Sequence, residues 1–263
     1  MKRILVVGAG GQIGTELVPH LQKIYGHDNV IAADLKDENV TRMSTYARSV
    51  RLDALNFNEY GDIVRKYDID TIFNLVALLS ATGEKNPELA WKINMGALLN
   101  SLTLAREFHT ALFTPSSIGA FGDSTPHDHT PQDTIMRPDT MYGICKVSGE
   151  LLSDYYHSKF GVDTRSVRFP GIISNGCLPG GGTTDYAVEV FYEVLKNGHY
   201  TCTLPSDAYM DMLYMPDALD SVVQLMEAEP ARLIHRNSFN IASMSFCPEE
   251  LFLKIKKRIP SFT

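Results

Sequence analysis

Four consecutive apolar residues, Ile4-Leu5-Val6-Val7, run straight into Gly8-Ala9-Gly10-Gly11-Gln12-Ile13-Gly14. An apolar run of strand length that ends in glycines and feeds a helical pattern opens a strand–turn–helix unit. Small residues let the backbone turn sharply and approach a pyrophosphate. The helix that follows offers its first amides and its dipole to an anion. That helix is expected over residues 12–25, with Ile13, Leu17, Leu21 and Ile24 at helical spacing. A second apolar strand, 30–33, then ends at Asp34, twenty residues beyond Gly14. An acidic residue at a strand end at that distance is where a ribose hydroxyl needs an acceptor. A Gly-rich turn can be pure geometry, and a lone Asp can be a solvated turn carboxylate. Strand, glycines, helix, strand and acid in that order point to a bound dinucleotide.

The rest of the chain repeats the alternation. Strands are expected at 48–52, 71–76, 111–114 and 162–168, with helices at 56–66, 87–108 and 140–160 and a loop at 77–86. Alternating strands and helices build a parallel sheet covered on both faces. From Pro170 onward the texture changes, with Gly176, Pro179, Gly180, Gly181 and Gly182 marking long loops before helices at 185–197, 216–227 and 249–257. We therefore expect residues 1–169 to form a dinucleotide-binding domain. Residues 170–263 should be mainly a substrate-binding cap that partly returns to the sheet. A chain of 263 residues with 44% hydrophobic content has enough apolar surface for such a core.

Charge narrows the partners. The net charge is -7 and no basic block stands out, so nucleic acid is not an expected partner. No apolar run reaches the roughly 18 residues a membrane span needs. Only Met1-Lys2-Arg3 precede the first strand, which leaves no room for a leader and makes the cytoplasm the expected location. Cys145, Cys177, Cys202 and Cys247 are scattered without a Cys-x-x-Cys pair, so reduced, packed thiols are expected. His127-Asp128-His129 lies in a polar, Pro-flanked stretch that reads as a loop, and no metal is expected there.

The chemistry falls in the middle of the chain. Ser116-Ser117 follow the 111–114 strand and so stand at the carboxyl edge of the sheet. Tyr142 and Lys146 are four apart on the next helix and share a face. A phenol, with an ordinary pKa of about 10, is a poor base at neutral pH, and a nearby ammonium favours its ionised form. Such a pair also occurs on solvated helix faces. What distinguishes this one is Ser117 before it and the glycine loop at the start of the chain.

Tyr142-x-x-x-Lys146, Ser117 and Gly8-x-x-Gly11-x-x-Gly14 resemble the extended short-chain dehydrogenases/reductases, a superfamily that includes nucleotide-sugar epimerases. Further segments resemble the short-chain type of NAD-dependent L-threonine 3-dehydrogenases. These are residues 115–122 (PSSIGAFG), 168–174 (RFPGIIS), 179–189 (PGGGTTDYAVE) and 214–219 (YMPDAL). The resemblance implies an α/β fold, a doubly wound parallel sheet of the Rossmann type with a small C-terminal cap, and NAD as cofactor. It implies Tyr142 as the base, Lys146 as the holder of the nicotinamide ribose, and Ser117 as a hydrogen-bonding partner of the substrate hydroxyl. Gly8, Gly11, Gln12, Ile13 and Gly14 would meet the pyrophosphate, and Asp34 the adenosine ribose. Asp53 and Ala54 would flank the adenine, with Leu75, Ala77 and Ile172 also lining the cofactor. Ser80, Thr184 and Asp185 would hold the amino acid, although a loop or helix-cap role accounts for Ser80 and Asp185 equally well.

L-threonine is thus the expected small-molecule substrate, and a homodimer joined through the two long helices the expected assembly. Members of the group usually continue past the last helix, so a C-terminally truncated chain is expected. Two other readings stand beside this one. A nucleotide-sugar 4-epimerase or dehydratase would recycle its cofactor internally. A non-catalytic dinucleotide sensor would not need Ser117, Tyr142 and Lys146 together.

Overall fold

A computed structural model describes residues 1–176, 178, 180, 182–233, 236 and 238–263. The chain begins with the expected alternation and one short helix that was not expected, α2: β1 (Ile4–Val7), α1 (Gln12–Tyr25), β2 (Val30–Asp34), α2 (Asp37–Met43), β3 (Arg48–Arg51), α3 (Phe57–Lys66) and β4 (Thr71–Asn74). Then follow α4 (Ser80–Lys85), α5 (Pro87–Phe108), β5 (Ala111–Phe113), β6 (Ser116–Ser117), α6 (Met141–Phe160), β7 (Thr164–Arg165) and β8 (Val167–Phe169). The remainder holds β9 (Gly171–Ile173), α7 (Tyr186–Asn197), β10 (Met210–Tyr214), α8 (Met215–Glu227), β11 (Phe239–Asn240), β12 (Met244–Phe246) and α9 (Pro248–Arg258).

Six strands pair in the order β3-β2-β1-β4-β5-β7, every neighbour parallel. Alternate residues of each strand serve opposite faces, as the pleat requires. Ile4, Val6, Val30, Ala32 and Phe73 pack under α1 and α8, while Leu5, Val7, Ile31, Ala33 and Ile72 pack under α3 and α5. Burial on both faces is why these strands read as unbroken apolar runs. The chain is an α/β protein with a doubly wound parallel sheet of the Rossmann type.

Three further departures from the expected elements follow. Residues 77–86 are not all loop: Ser80 opens α4, whose Glu84 Oε1 accepts the Met141 amide at 2.7 Å. The expected strand 162–168 is two strands in different sheets, β7 on the main sheet and β8 between β6 and β11. The switch falls at Ser166, whose hydroxyl accepts the Ser116 amide at 3.2 Å. A second small sheet, β12-β10-β9, forms in the region expected to be mainly loops and helices. Among the described residues no helix is long and apolar enough to cross a membrane. Cys145 and Cys247 are buried thiols and Cys202 is half-buried, whereas Cys177 lies outside the described residues.

Candidate active site

The glycine loop is shaped by contacts that side chains would block. Gly8, at φ +77°, donates its amide to Ala33 O at 2.9 Å. A Cβ there would stand 3.1 Å from Leu75 C and Val76 N, in a conformation L side chains rarely adopt. At Gly14 a Cβ would come within 2.6 Å of the Ala9 backbone, which locks the first turn of α1 against the loop. Gly11 differs, because its Cβ would meet only Gly8 O at 3.4 Å. The space above Gly11, at the start of α1, is the cradle a pyrophosphate would fill. Gln12 Nε2 is buried there with no partner among the described residues. These features fit a dinucleotide.

Asp34 ends β2 at 8% exposure. Its Oδ2 accepts Gly10 N at 2.8 Å, and its Oδ1 accepts Lys36 N at 3.1 Å and Asn39 Nδ2 at 3.0 Å. A carboxylate has about four acceptor positions, so roughly one remains for a ribose hydroxyl. Arg42 Nη2 donates to Gly10 O at 3.1 Å and puts a guanidinium beside the same turn. Asp53 Oδ1 accepts Leu55 N at 2.9 Å, and Asn100 Nδ2 holds Ala54 O at 2.9 Å, which fixes the entry to α3. Leu75 N donates to Val7 O at 2.9 Å, and Ile172 of β9 pairs with Leu213 of β10. Ala77 sits beside a polar cavity of about 30 Å³ behind Lys146, lined also by Asn74, Asn94 and Cys145.

Ser117, Tyr142 and Lys146 come together at the carboxyl end of the sheet. Ser117 Oγ accepts Gly119 N at 3.1 Å, and a Cβ on Gly119 would stand 3.3 Å from the Tyr142 ring. Gly119 therefore lets the Tyr142 ring pack close to the turn that Ser117 caps. Thr140 Oγ1 accepts Gly143 N at 3.1 Å and starts α6 one residue before Met141, which places Tyr142 in its first turn. Lys146 Nζ donates to Pro115 O at 2.6 Å and lies 5.2 Å from the Tyr142 ring centroid.

The residues expected to meet an amino acid lie on two separate segments. Ser80 is the first residue of α4. Thr184 packs its Cβ and Cγ2 over Gly171, where a Cβ would come within 2.6 Å of it. Asp185 Oδ2 accepts Gly182 N at 2.7 Å, so this carboxylate caps the turn ahead of α7. Gly180 lies against Leu79, the residue before Ser80, where a Cβ would be 3.2 Å from Leu79 Cδ1. Gly181 and Pro179 lie outside the described residues. Among the described residues no group of three or more His, Cys, Asp or Glu could hold a metal, the His127-Asp128-His129 stretch included.

One feature of the site had no counterpart in the sequence reading. Arg168 of β8 forks onto Glu150 of α6, with Nε to Oε1 at 2.9 Å and Nη2 to Oε2 at 2.7 Å. The side chains are 5% and 2% exposed. Removing one partner of such a pair leaves an uncompensated buried charge, at a cost of about 3–5 kcal/mol. The one sequence signal was an arginine inside the apolar strand VRF, where a charge must find a partner.

Comparisons with known proteins bear on the family and the fold. The NAD dependent epimerase/dehydratase family matches residues 4–242. A Staphylococcus haemolyticus protein described as an uncharacterized epimerase/dehydratase is 53% identical over 262 residues, covering 100% of this chain and 82% of its own length. The structure of L-threonine dehydrogenase from Clostridium difficile superposes with a TM-score of 0.96 at 54% identity, covering 100% of this chain and 82% of that one. L-threonine dehydrogenase from Phytophthora infestans gives a TM-score of 0.94 at 48% identity, with 100% and 83% covered.

Proposed function

The chain belongs to the NAD dependent epimerase/dehydratase family, and on that premise we propose that it is an NAD-dependent L-threonine 3-dehydrogenase, oxidising L-threonine to 2-amino-3-ketobutyrate. The observation that carries this reading is the similarity, about half of all residues over the whole chain, to two L-threonine dehydrogenases. The convergence of Ser117, Tyr142 and Lys146 supports an oxidation at a hydroxyl-bearing carbon.

Bound NAD supplies the hydride acceptor, and the protein supplies orientation and proton transfer. Tyr142 takes the proton of the substrate hydroxyl. Ser117 Oγ spends one lone pair on Gly119 N and keeps its own proton to donate to the substrate oxygen. Lys146 carries three N–H donors and spends one on Pro115 O, leaving two for the nicotinamide ribose and the phenol oxygen. Ser80, Thr184 and Asp185 hold the ammonium and carboxylate of the amino acid, with Asp185 fixed in place by the Gly182 amide. In this reading residues 1–169 carry the cofactor and residues 170–263 close over the substrate. A homodimer would cover the exposed apolar side chains of α5 and α6, among them Trp91, Leu99, Leu151 and Tyr155.

A second reading, a nucleotide-sugar 4-epimerase, has the description of the Staphylococcus haemolyticus relative in its favour. One experiment separates the two. Purified protein with NAD is given L-threonine or a UDP-sugar, while NADH absorbance and sugar configuration are followed. NADH formed from L-threonine supports the dehydrogenase. Epimerised sugar without NADH overturns it.

A further inference from the structure

We propose that Glu150 and Arg168 are positioning residues for the catalytic centre, acting through Ser116 and through the segment that joins Ser117 to Tyr142. The proposal rests on the dehydrogenase reading above. Tyr142, Lys146 and Glu150 stand four apart in turn on α6, so a single helical stripe carries all three. That stripe meets three consecutive residues of the strand end. Lys146 Nζ donates to Pro115 O at 2.6 Å, Ser116 Oγ donates to Glu150 Oε1 at 2.5 Å, and Ser117 reaches the Tyr142 ring through Gly119. Ser116 lies between the acceptor that holds Lys146 and the hydroxyl offered to the substrate. Rotation at Ser116 moves both.

Arg168 braces the other side. Its Nη1 donates to Gln132 O and to Asn240 Oδ1, each at 2.9 Å, and its guanidinium lies 5.4 Å from the Phe121 ring centroid. Phe121 and Gln132 belong to the stretch 121–140, which contains no helix or strand and whose ends lead to Ser117 and Tyr142. Backbone without ladder hydrogen bonds keeps more freedom, so the spacing of its two ends needs an outside support. Two apolar side chains could fill the same volume as stably. They could not direct the Ser116 hydroxyl and the Gln132 carbonyl at once, and that is the work assigned to the pair.

Ser116→Ala tests this without touching the ion pair, since it removes only the tie from Glu150 to the strand end. With L-threonine and NAD, kcat should fall about tenfold to hundredfold, as small misplacements of reacting groups do. KM for L-threonine and Kd for NAD should move less than about threefold, which separates displaced chemistry from lost binding. Hydrogen exchange across residues 117–122 should speed up about tenfold, reporting local opening. Tyr60→Phe, which removes the buried bond to Ser101 at 3.0 Å, is the control for general destabilisation. Unchanged kcat in Ser116→Ala overturns the proposal, as does an equal loss of kcat in Tyr60→Phe at matched Tm. If the wild-type protein makes no NADH from L-threonine, the dehydrogenase reading fails separately. The exchange measurement then still decides: faster exchange in Ser116→Ala alone supports positioning, and unchanged exchange refutes it.

Discussion

Asp34→Asn should weaken NAD binding and relax the exclusion of NADP together, and the structure sets the size of both effects. The carboxylate receives three donors: Gly10 N at 2.8 Å, Lys36 N at 3.1 Å and Asn39 Nδ2 at 3.0 Å. Asparagine keeps one acceptor oxygen. If that oxygen serves Gly10, the new amide nitrogen faces two other donors, and flipping it moves the conflict to Gly10. Either orientation strands at least one donor beside the cofactor loop, at about 1–3 kcal/mol. At about 1.4 kcal/mol per tenfold, NAD should bind roughly tenfold or more weakly. For NADP the wild-type carboxylate would face a 2′-phosphate. Two like charges about 4 Å apart at an effective dielectric near 20 repel by about 4 kcal/mol, a factor of roughly a thousand. Removing the charge relieves most of that, and Arg42, already 3.1 Å from Gly10 O, stands ready as a partner. The NADP-to-NAD ratio of kcat/KM should therefore rise by two to three orders of magnitude, on the order of the repulsion removed. Steady-state kinetics with both cofactors, with direct titration of Kd, measure it. Equal efficiency with NAD and NADP in the wild-type enzyme, or an unchanged ratio in Asp34→Asn, would refute the reasoning.

Tyr142→Phe should lower NADH formation about 10²–10⁴-fold while NAD affinity stays within about twofold, which single-turnover kinetics and NAD titration check. Gly14→Ala places a methyl 2.6 Å from the Ala9 backbone. NAD affinity should fall about tenfold or more, read by calorimetry, with far-UV circular dichroism unchanged. Burial pushes the Tyr186 phenol up to about 12, with Cys202 and Cys247 adding to the effect. The neutral phenol is the favoured folded form, so its contribution is present below the ordinary value of about 10 and lost as pH rises towards 12. Urea midpoints of wild type and Tyr186→Phe should diverge across that window, and parallel curves would contradict the assignment.

Much of the fold can be read from the chain because the central strands are buried on both faces. Ile4-Leu5-Val6-Val7 carries no polar interruption, and Gly8 and Gly14 are required by backbone approach that nothing larger permits. Tyr142 and Lys146 are legible because a helix places residues four apart on one face. The elements that escaped have no such periodic signature. Asp37–Met43 buries only Met43, and Ser80–Lys85 is short and contains Gly83, so neither carries an apolar stripe. The break at Ser166 is invisible along the chain because its cause, the Ser116 amide, is fifty residues away. Glu150 and Arg168 meet for the same reason, across eighteen residues and two kinds of element.

The position of β1 in the sheet bears on how the protein is made. Its two partners, β2 and β4, pair in register from Ile4↔Val30 and Ile4↔Thr71. This strand is therefore interior to the sheet, and its second flank stays open until β4, about seventy residues further along the chain, has been synthesised. Parallel pairing of this kind is slow, because the connecting chain must close before any contact rewards it. During that interval an apolar edge, Ile4 to Val7, is offered to any other nascent chain. The protein's yield in a cell should therefore depend on synthesis rate and chaperone supply more than its folded stability would suggest.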